Sequence, residues 1–155
     1  MLLRCSMQVS ATASTVFACV DEPQNIVQWV GGIVEHQYVT ARDEHTAVGQ
    51  RFRQLLRQGR TVREFNGEII VWEAPSHFGL RIPSAAYTSE AHFRISADGP
   101  TRSTVRYSLE IRLHSPTAKL LGPLLKLPLW LFVRQQISRL KAYAEKLQGS
   151  LEVRD

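Results

Sequence analysis

Reactions in a protein pocket need a positioned acid, base or nucleophile, and this chain offers five histidines, the neighbours Arg63 and Glu64, two cysteines and a few tyrosines. His92 and His114 share the parity of Arg and Glu residues that alternate with apolar ones, while His36, His45 and His77 fall in or near loops and strand ends. The five do not gather, and each is expected at the surface. Arg63 and Glu64 are adjacent, so a regular strand turns one of them inward. An inward Glu64 would be the best acid or base and an inward Arg63 an anion anchor, whereas an edge position would expose both. Cys5 and Cys19 belong to no CxxC or Cys/His cluster, which argues against a disulfide framework or zinc site and for two buried free thiols. The sequence has no Ser/His/Asp series, no glycine-rich phosphate loop and no metal-ligand spacing. No catalytic residue, metal or cofactor is assigned.

The elements that would position these groups follow from periodicity. Leu2 to Val9 reads as a strand that leads through Ser10–Ser14 into a short helix over Thr15–Val20, and Pro23 can open a second short helix that ends at Gly31-Gly32. From Ile33 to Leu113 the period is two, broken at Arg42-Asp43-Glu44, Gln58-Gly59, Ala74-Pro75-Ser76, Pro83-Ser84 and Ala97–Pro100, which makes six strands in series. In the last of them Val105, Tyr107, Leu109, Ile111 and Leu113 alternate with Arg106, Ser108, Glu110 and Arg112, as in an antiparallel sheet covered on one face. Beyond Ser115-Pro116 the period turns helical. Leu125, Leu129, Val133, Ile137, Leu140, Ala144 and Leu147 form one stripe to lie on the sheet, with the uninterrupted helix running from about Pro128 to Gln148 and Gly149 as its stop.

With 155 residues, 44% of them apolar and 21% charged, the chain suits one α+β domain over residues 1–149 with a tail at 150–155. The formal charge is +5, but its cations are spread from Arg4 to Arg154 without a basic arm, which reads as a solvated surface and not as specific nucleic-acid binding. The first residues lack a basic lead and an apolar run, so no secretory signal is expected and a cytoplasmic location is. Leu120 to Val133 is interrupted by Pro123, Lys126 and Pro128 and is too short to span a bilayer.

The order of strand, two short helices, six antiparallel strands and long final helix resembles the helix-grip fold. Ala11–Phe17, Asp21-Glu22-Pro23-Gln24-Asn25 and Trp29 are similar to the opening of the polyketide cyclase/dehydrase family within the START-like (SRPBCC) superfamily. Val48–Phe52, Gly67–Ile70 leading to Glu73-Ala74-Pro75, Gly99 with Thr104-Val105, and Leu140-Lys141 carry the likeness to the last helix. The resemblance implies a curved sheet of about seven strands around the C-terminal helix and an apolar cavity between them. It does not imply an activity, because fold alone does not transfer function.

On this frame Phe52, Phe93 and Tyr107, with Tyr87, Leu109, Phe65, Ile69 and Trp29, face inward to line a cavity, and Leu129, Val133 and Ile137 close it from the helix; the competing reading is that they fill a core. Trp29 also suits a wedge between the second short helix and the sheet edge. The hydroxyls of Tyr87 and Tyr107 bond one another or a water, or they orient a ligand. Phe65, Ile69 and Val71 share one parity, Ile70 and Trp72 the other, so the register of that strand is open. The expected function is binding or carrying a lipid-like or polyketide-like molecule; the alternative is a small cyclase, aromatase or dehydratase on such a substrate. Leu120, Leu124, Leu127 and Leu131 form a second apolar row flanked by Lys119 and Lys126. It suits a gate over the cavity, transient contact with an anionic membrane, a homodimer contact or packing within the domain, and the chain is a monomer or a homodimer accordingly.

Overall fold

Thr12 is extended and its Oγ1 accepts from the Thr15 amide at 3.1 Å, which caps helix α1, Ala13–Asp21. Pro23 then opens α2, Pro23–Trp29, at a position where its missing amide is no loss. The computed structural model describes residues 1–154. Its strands are β1 Leu2–Val9, β2 Ile33–Tyr38, β3 Arg51–Gln58, β4 Thr61–Glu73, β5 His77–Pro83, β6 Tyr87–Gly99 and β7 Arg102–Leu113, and the last element is α3, Pro116–Arg154. The strands form one antiparallel sheet in the order β1-β7-β6-β5-β4-β3-β2. This is the helix-grip fold, with seven strands, a long C-terminal helix and two short helices after β1.

Register decides which side chains face the helices. Leu3, Val9, Ile69, Phe78, Phe93 and Val105 lie on the buried face and pack with Phe17 of α1, Trp29 of α2 and Val133, Ile137, Leu140 and Ala144 of α3, while Phe52 is buried against His36 and Tyr38. The open register of β4 is settled by a bulge: Ile69 pairs with Leu80, but Val71 pairs with Gly79. The extra residue turns Trp72 to the side of Ile69, opposite Phe78 and edge-on to Phe17 with ring centroids 5.8 Å apart. Val71 is thereby turned outward beside Gly79 and His92. A second bulge between Ile33 and Glu35 sets the register of β2, so that His36 and Tyr38 stand opposite Gln54 and Phe52.

The helix α3 differs from expectation at both ends. It runs for 39 residues, about 58 Å at 1.5 Å per residue, through Pro123, Pro128 and Gly149. The carbonyls of Lys119 and Leu124 that lose a donor to the prolines belong to solvent-exposed residues. Among the described residues neither Gly149 nor any residue after it is left-handed, and a contact from Gln148 Nε2 to Glu152 Oε1 at 3.4 Å bridges that turn, so residues 150–154 of the expected tail are helical. The stripe is fully buried from Val133 to Ala144 and half-buried at Leu129, whereas Leu125 is 49% exposed and not part of the core. Polar ties hold this half against the short helices: Gln136 Oε1 accepts from Gly31 N, Arg139 Nε donates to Trp29 O, and Tyr143 donates to Asn25 Oδ1.

Candidate functional site

The interior keeps a cavity of about 70 Å³ between α2 and the β2–β3 and β5–β6 parts of the sheet. Its helical wall is Val20, Ile26, Trp29 and Val30, and its sheet wall is Phe52, Phe78, Leu80, Ile82 and Phe93. The Trp29 indole nitrogen donates to Cys19 O at 2.8 Å, so the side chain presents only its ring, edge-on to Phe93. Gly67 lies under Phe52: a Cβ there would sit 2.5 Å from Phe52 Cζ, so only glycine lets that ring lie flat on β4.

Three polar side chains enter this apolar shell: His36, Tyr38 and Gln54. The His36 ring stacks on Phe52 and meets Tyr38 edge-on, with centroids 5.1 and 5.3 Å away. Both of its nitrogens are buried and neither has a hydrogen-bond partner among the described residues. Burial pushes its pKa down to about 4, so the imidazole is neutral at neutral pH. The expectation that His36 is a surface residue is therefore corrected. The bulge at the start of β2 is the physical reason, because it places His36 on the buried side while Val34 is 49% exposed.

Tyr38 is committed elsewhere. Its hydroxyl donates to Asp21 O at 2.6 Å, and burial and the Asp21 carboxylate hold its pKa well above the usual tyrosine range. Arg42 grips Asp21 with two bonds, of 2.8 and 3.1 Å, and also donates to Gln50 Oε1, while its guanidinium lies over the Tyr38 and Trp72 rings. This network closes the site on the side of the β2–β3 connection. Gln54 makes no side-chain hydrogen bond among the described residues, which leaves His36 and Gln54 as the free polar groups of the cavity.

Of the residues expected to line a cavity, Trp29, Phe52 and Phe93 border this one. Ile69, Val133 and Ile137 are buried in the packed core instead. Phe65 is half-buried opposite Gln54, Leu109 opposite Ala91, and Leu129 is half-buried on α3. Tyr107 packs on Phe93 at 4.8 Å, its pKa raised by burial. Tyr87 pairs with Leu113 and Tyr107 with Phe93, six residues further along the sheet, so their backbones are about 20 Å apart and the hydroxyls do not bond each other. No α3 residue borders the cavity, because the helix fills the other half of the inner face.

Other candidates are placed plainly. Glu64 is exposed and paired with Arg53 at 3.2 Å, and Arg63 is exposed beside it. Cys19 is buried, its thiol pushed up to about 12 by burial and then by the charge of Glu22; Cys5 is only half-buried. The histidines do gather in one place: His77 Nε2 and His92 Nδ1 are 2.9 Å apart on the outer face, brought together because the two residues sit on adjacent strands. Among the described residues no group of three or more His, Cys, Asp or Glu side chains could hold a metal, and no helix is long and apolar enough to cross a membrane.

Solved structures share this architecture. A START superfamily protein from Mycobacterium smegmatis is 17% identical with a TM-score of 0.77, covering 94% of this chain and 98% of its own. The di-domain ARO/CYC BexL from the BE-7585A biosynthetic pathway is 13% identical with a TM-score of 0.73, over 94% of this chain and 46% of its own. Norcoclaurine synthase from Thalictrum flavum, in complex with dopamine and hydroxybenzaldehyde, is 11% identical with a TM-score of 0.65, over 95% of this chain and 85% of its own. At such identities the likeness is one of fold. Among curated proteins none matches. The family model described as polyketide cyclase / dehydrase and lipid transport matches residues 3–145, from inside β1 to the late turns of α3, and the chain belongs to that family.

Proposed function

We propose that the protein binds or carries a small, mostly apolar molecule with one hydrogen-bonding group. The observation that supports this is the cavity: nine apolar side chains surround a single neutral imidazole whose nitrogens are unpartnered. A buried polar group without a partner is unfavourable, and a ligand hydroxyl, phenol or carbonyl at His36 and Gln54 relieves it. The cavity is small beside the usual 300–1,000 Å³ of ligand sites, so uptake requires α2 and the β2–β3 hairpin to part. Native mass spectrometry and solvent extraction of purified protein, with titration by aromatic and acyl fluorescent probes, test the reading. Bound or accepted ligand supports it; an interior that accepts no probe refutes it.

A second reading, a small cyclase, aromatase or dehydratase on a polyketide-like substrate, draws on the same imidazole. A neutral histidine in a dry pocket can accept a proton from a substrate and return it elsewhere. His36→Phe separates the two: under the enzyme reading a measurable turnover disappears, and under the carrier reading there is no turnover to lose and only affinity falls.

A further inference from the structure

The first half of α3 carries its apolar residues on the side away from the sheet. Leu120, Leu124, Leu127 and Leu131 are 78%, 74%, 65% and 54% exposed, with Leu121 and Phe132 alongside. Packing within the domain, one of the readings of this row, is thus ruled out, and a gate is not supported because no α3 residue borders the cavity. Past residue 133 the same bearing carries Arg134, Ser138 and Glu145, the usual polar exterior of a surface helix. The apolar part exposes on the order of several hundred Å², the size of patch that marks an interaction site.

Charge identifies the occupant. Between Glu110 and Glu145 there is no carboxylate, while Arg112, Lys119, Lys126, Arg134, Arg139 and Lys141 all fall in that interval. Lys119 and Lys126 lie on the sheet side of the helix and, with Arg112, border an open cleft floored by Met1, Ile111 and Leu113. Trp130 is held at the edge of the row by a bond from its indole nitrogen to Arg4 O, with Arg134 over its ring. A second copy joined through this row would offer the cations beside it no carboxylate of the same segment in return. A bilayer with anionic headgroups offers an apolar layer for the leucines and negative charge for the lysines.

We infer that the first half of α3 docks the protein on an anionic bilayer surface, with the Leu120–Leu131 row in the acyl boundary and Lys119 and Lys126 among the headgroups. The helix lies in the surface and does not cross it: residues 120–132 reach only about 20 Å. Docking is independent of what the cavity holds.

The test is co-sedimentation of the full chain with phosphatidylcholine vesicles with and without phosphatidylserine, at low and high salt. Binding to the phosphatidylserine vesicles, weakened by salt, is expected. Lys119→Glu with Lys126→Glu should lower it by on the order of tenfold or more, and Leu124→Asp with Leu127→Asp should abolish it without changing the melting temperature. Absence of binding by the wild type overturns the inference. So does a dimeric wild type that binds no vesicles and becomes monomeric in the Leu124→Asp, Leu127→Asp variant, which would assign the row to a second copy.

Discussion

The imidazole of His36 stacks on the ring of Phe52 at 5.1 Å with neither nitrogen bonded among the described residues. The ring thus sits in an apolar wall in its neutral form, its pKa down at about 4 against an ordinary 6.5.

That depression fixes a pH dependence. Above about pH 6.5 the ring is neutral in both folded and unfolded chains and contributes nothing. As pH falls from 6.5 to about 4 the unfolded chain takes up a proton that the folded one refuses, so stability is lost across that window, by about 3 kcal/mol in all. Urea unfolding at pH 7, 5.5 and 4.5 should show this slope, and His36→Leu should flatten it by the same amount. A variant with the wild-type slope would place the titrating group elsewhere.

Gly67 and Phe52 supply a way to close the cavity from behind. Gly67→Ala sets a methyl 2.5 Å from Phe52 Cζ and 2.7 Å from the backbone Arg81 O, so both the ring and the neighbouring strand must shift. Stability should fall by about 1–3 kcal/mol, as for other overpacked sites. Titration with an aromatic probe should show weaker binding than in the wild type. Undiminished affinity would mean that ligand sits away from Phe52.

The two halves of α3 should respond differently to truncation. Ile137→Ala and Leu140→Ala, at fully buried positions, should each lose about 2–5 kcal/mol. Leu125→Ala, on the same sequence stripe but 49% exposed, should lose under about 0.5 kcal/mol. Chemical denaturation distinguishes the cases, and equal losses would place the whole stripe against the sheet.

Much was legible in the sequence because it rests on local pattern. The alternation of Val105 to Leu113 marked β7 and its buried face, the polar stretch Ser10–Ser14 and Pro23 marked the approach to α1 and the start of α2, and the diffuse family motifs from Ala11 to Leu140-Lys141 marked the helix-grip fold. Trp29, Phe52 and Phe93 could be read as inward because each sits where a period of two or a helix end has one buried side. Where one face of a regular strand is buried, composition along that strand suffices to say which face it is.

What only the tertiary structure decided depends on the places where the period slips or where distant elements meet. A single extra residue in a strand reverses inside and outside beyond it, so the bulge after Ile33 turned a histidine read as exposed into a buried imidazole of the cavity wall, and the bulge after Ile69 exchanged Val71 for Trp72. Neither bulge leaves a mark in hydrophobicity alone. The pairing of His77 with His92 required β5 and β6 to align. The apolar stripe of α3 looked continuous from Leu125 to Leu147, but a stripe says which side of a helix is apolar and not where the surface it covers ends. The short helices and the sheet bury the α3 stripe fully only from Val133 onward, with Leu129 and Trp130 at the margin of that contact, and where the burial ends separated the half that holds the fold together from the half left facing outward.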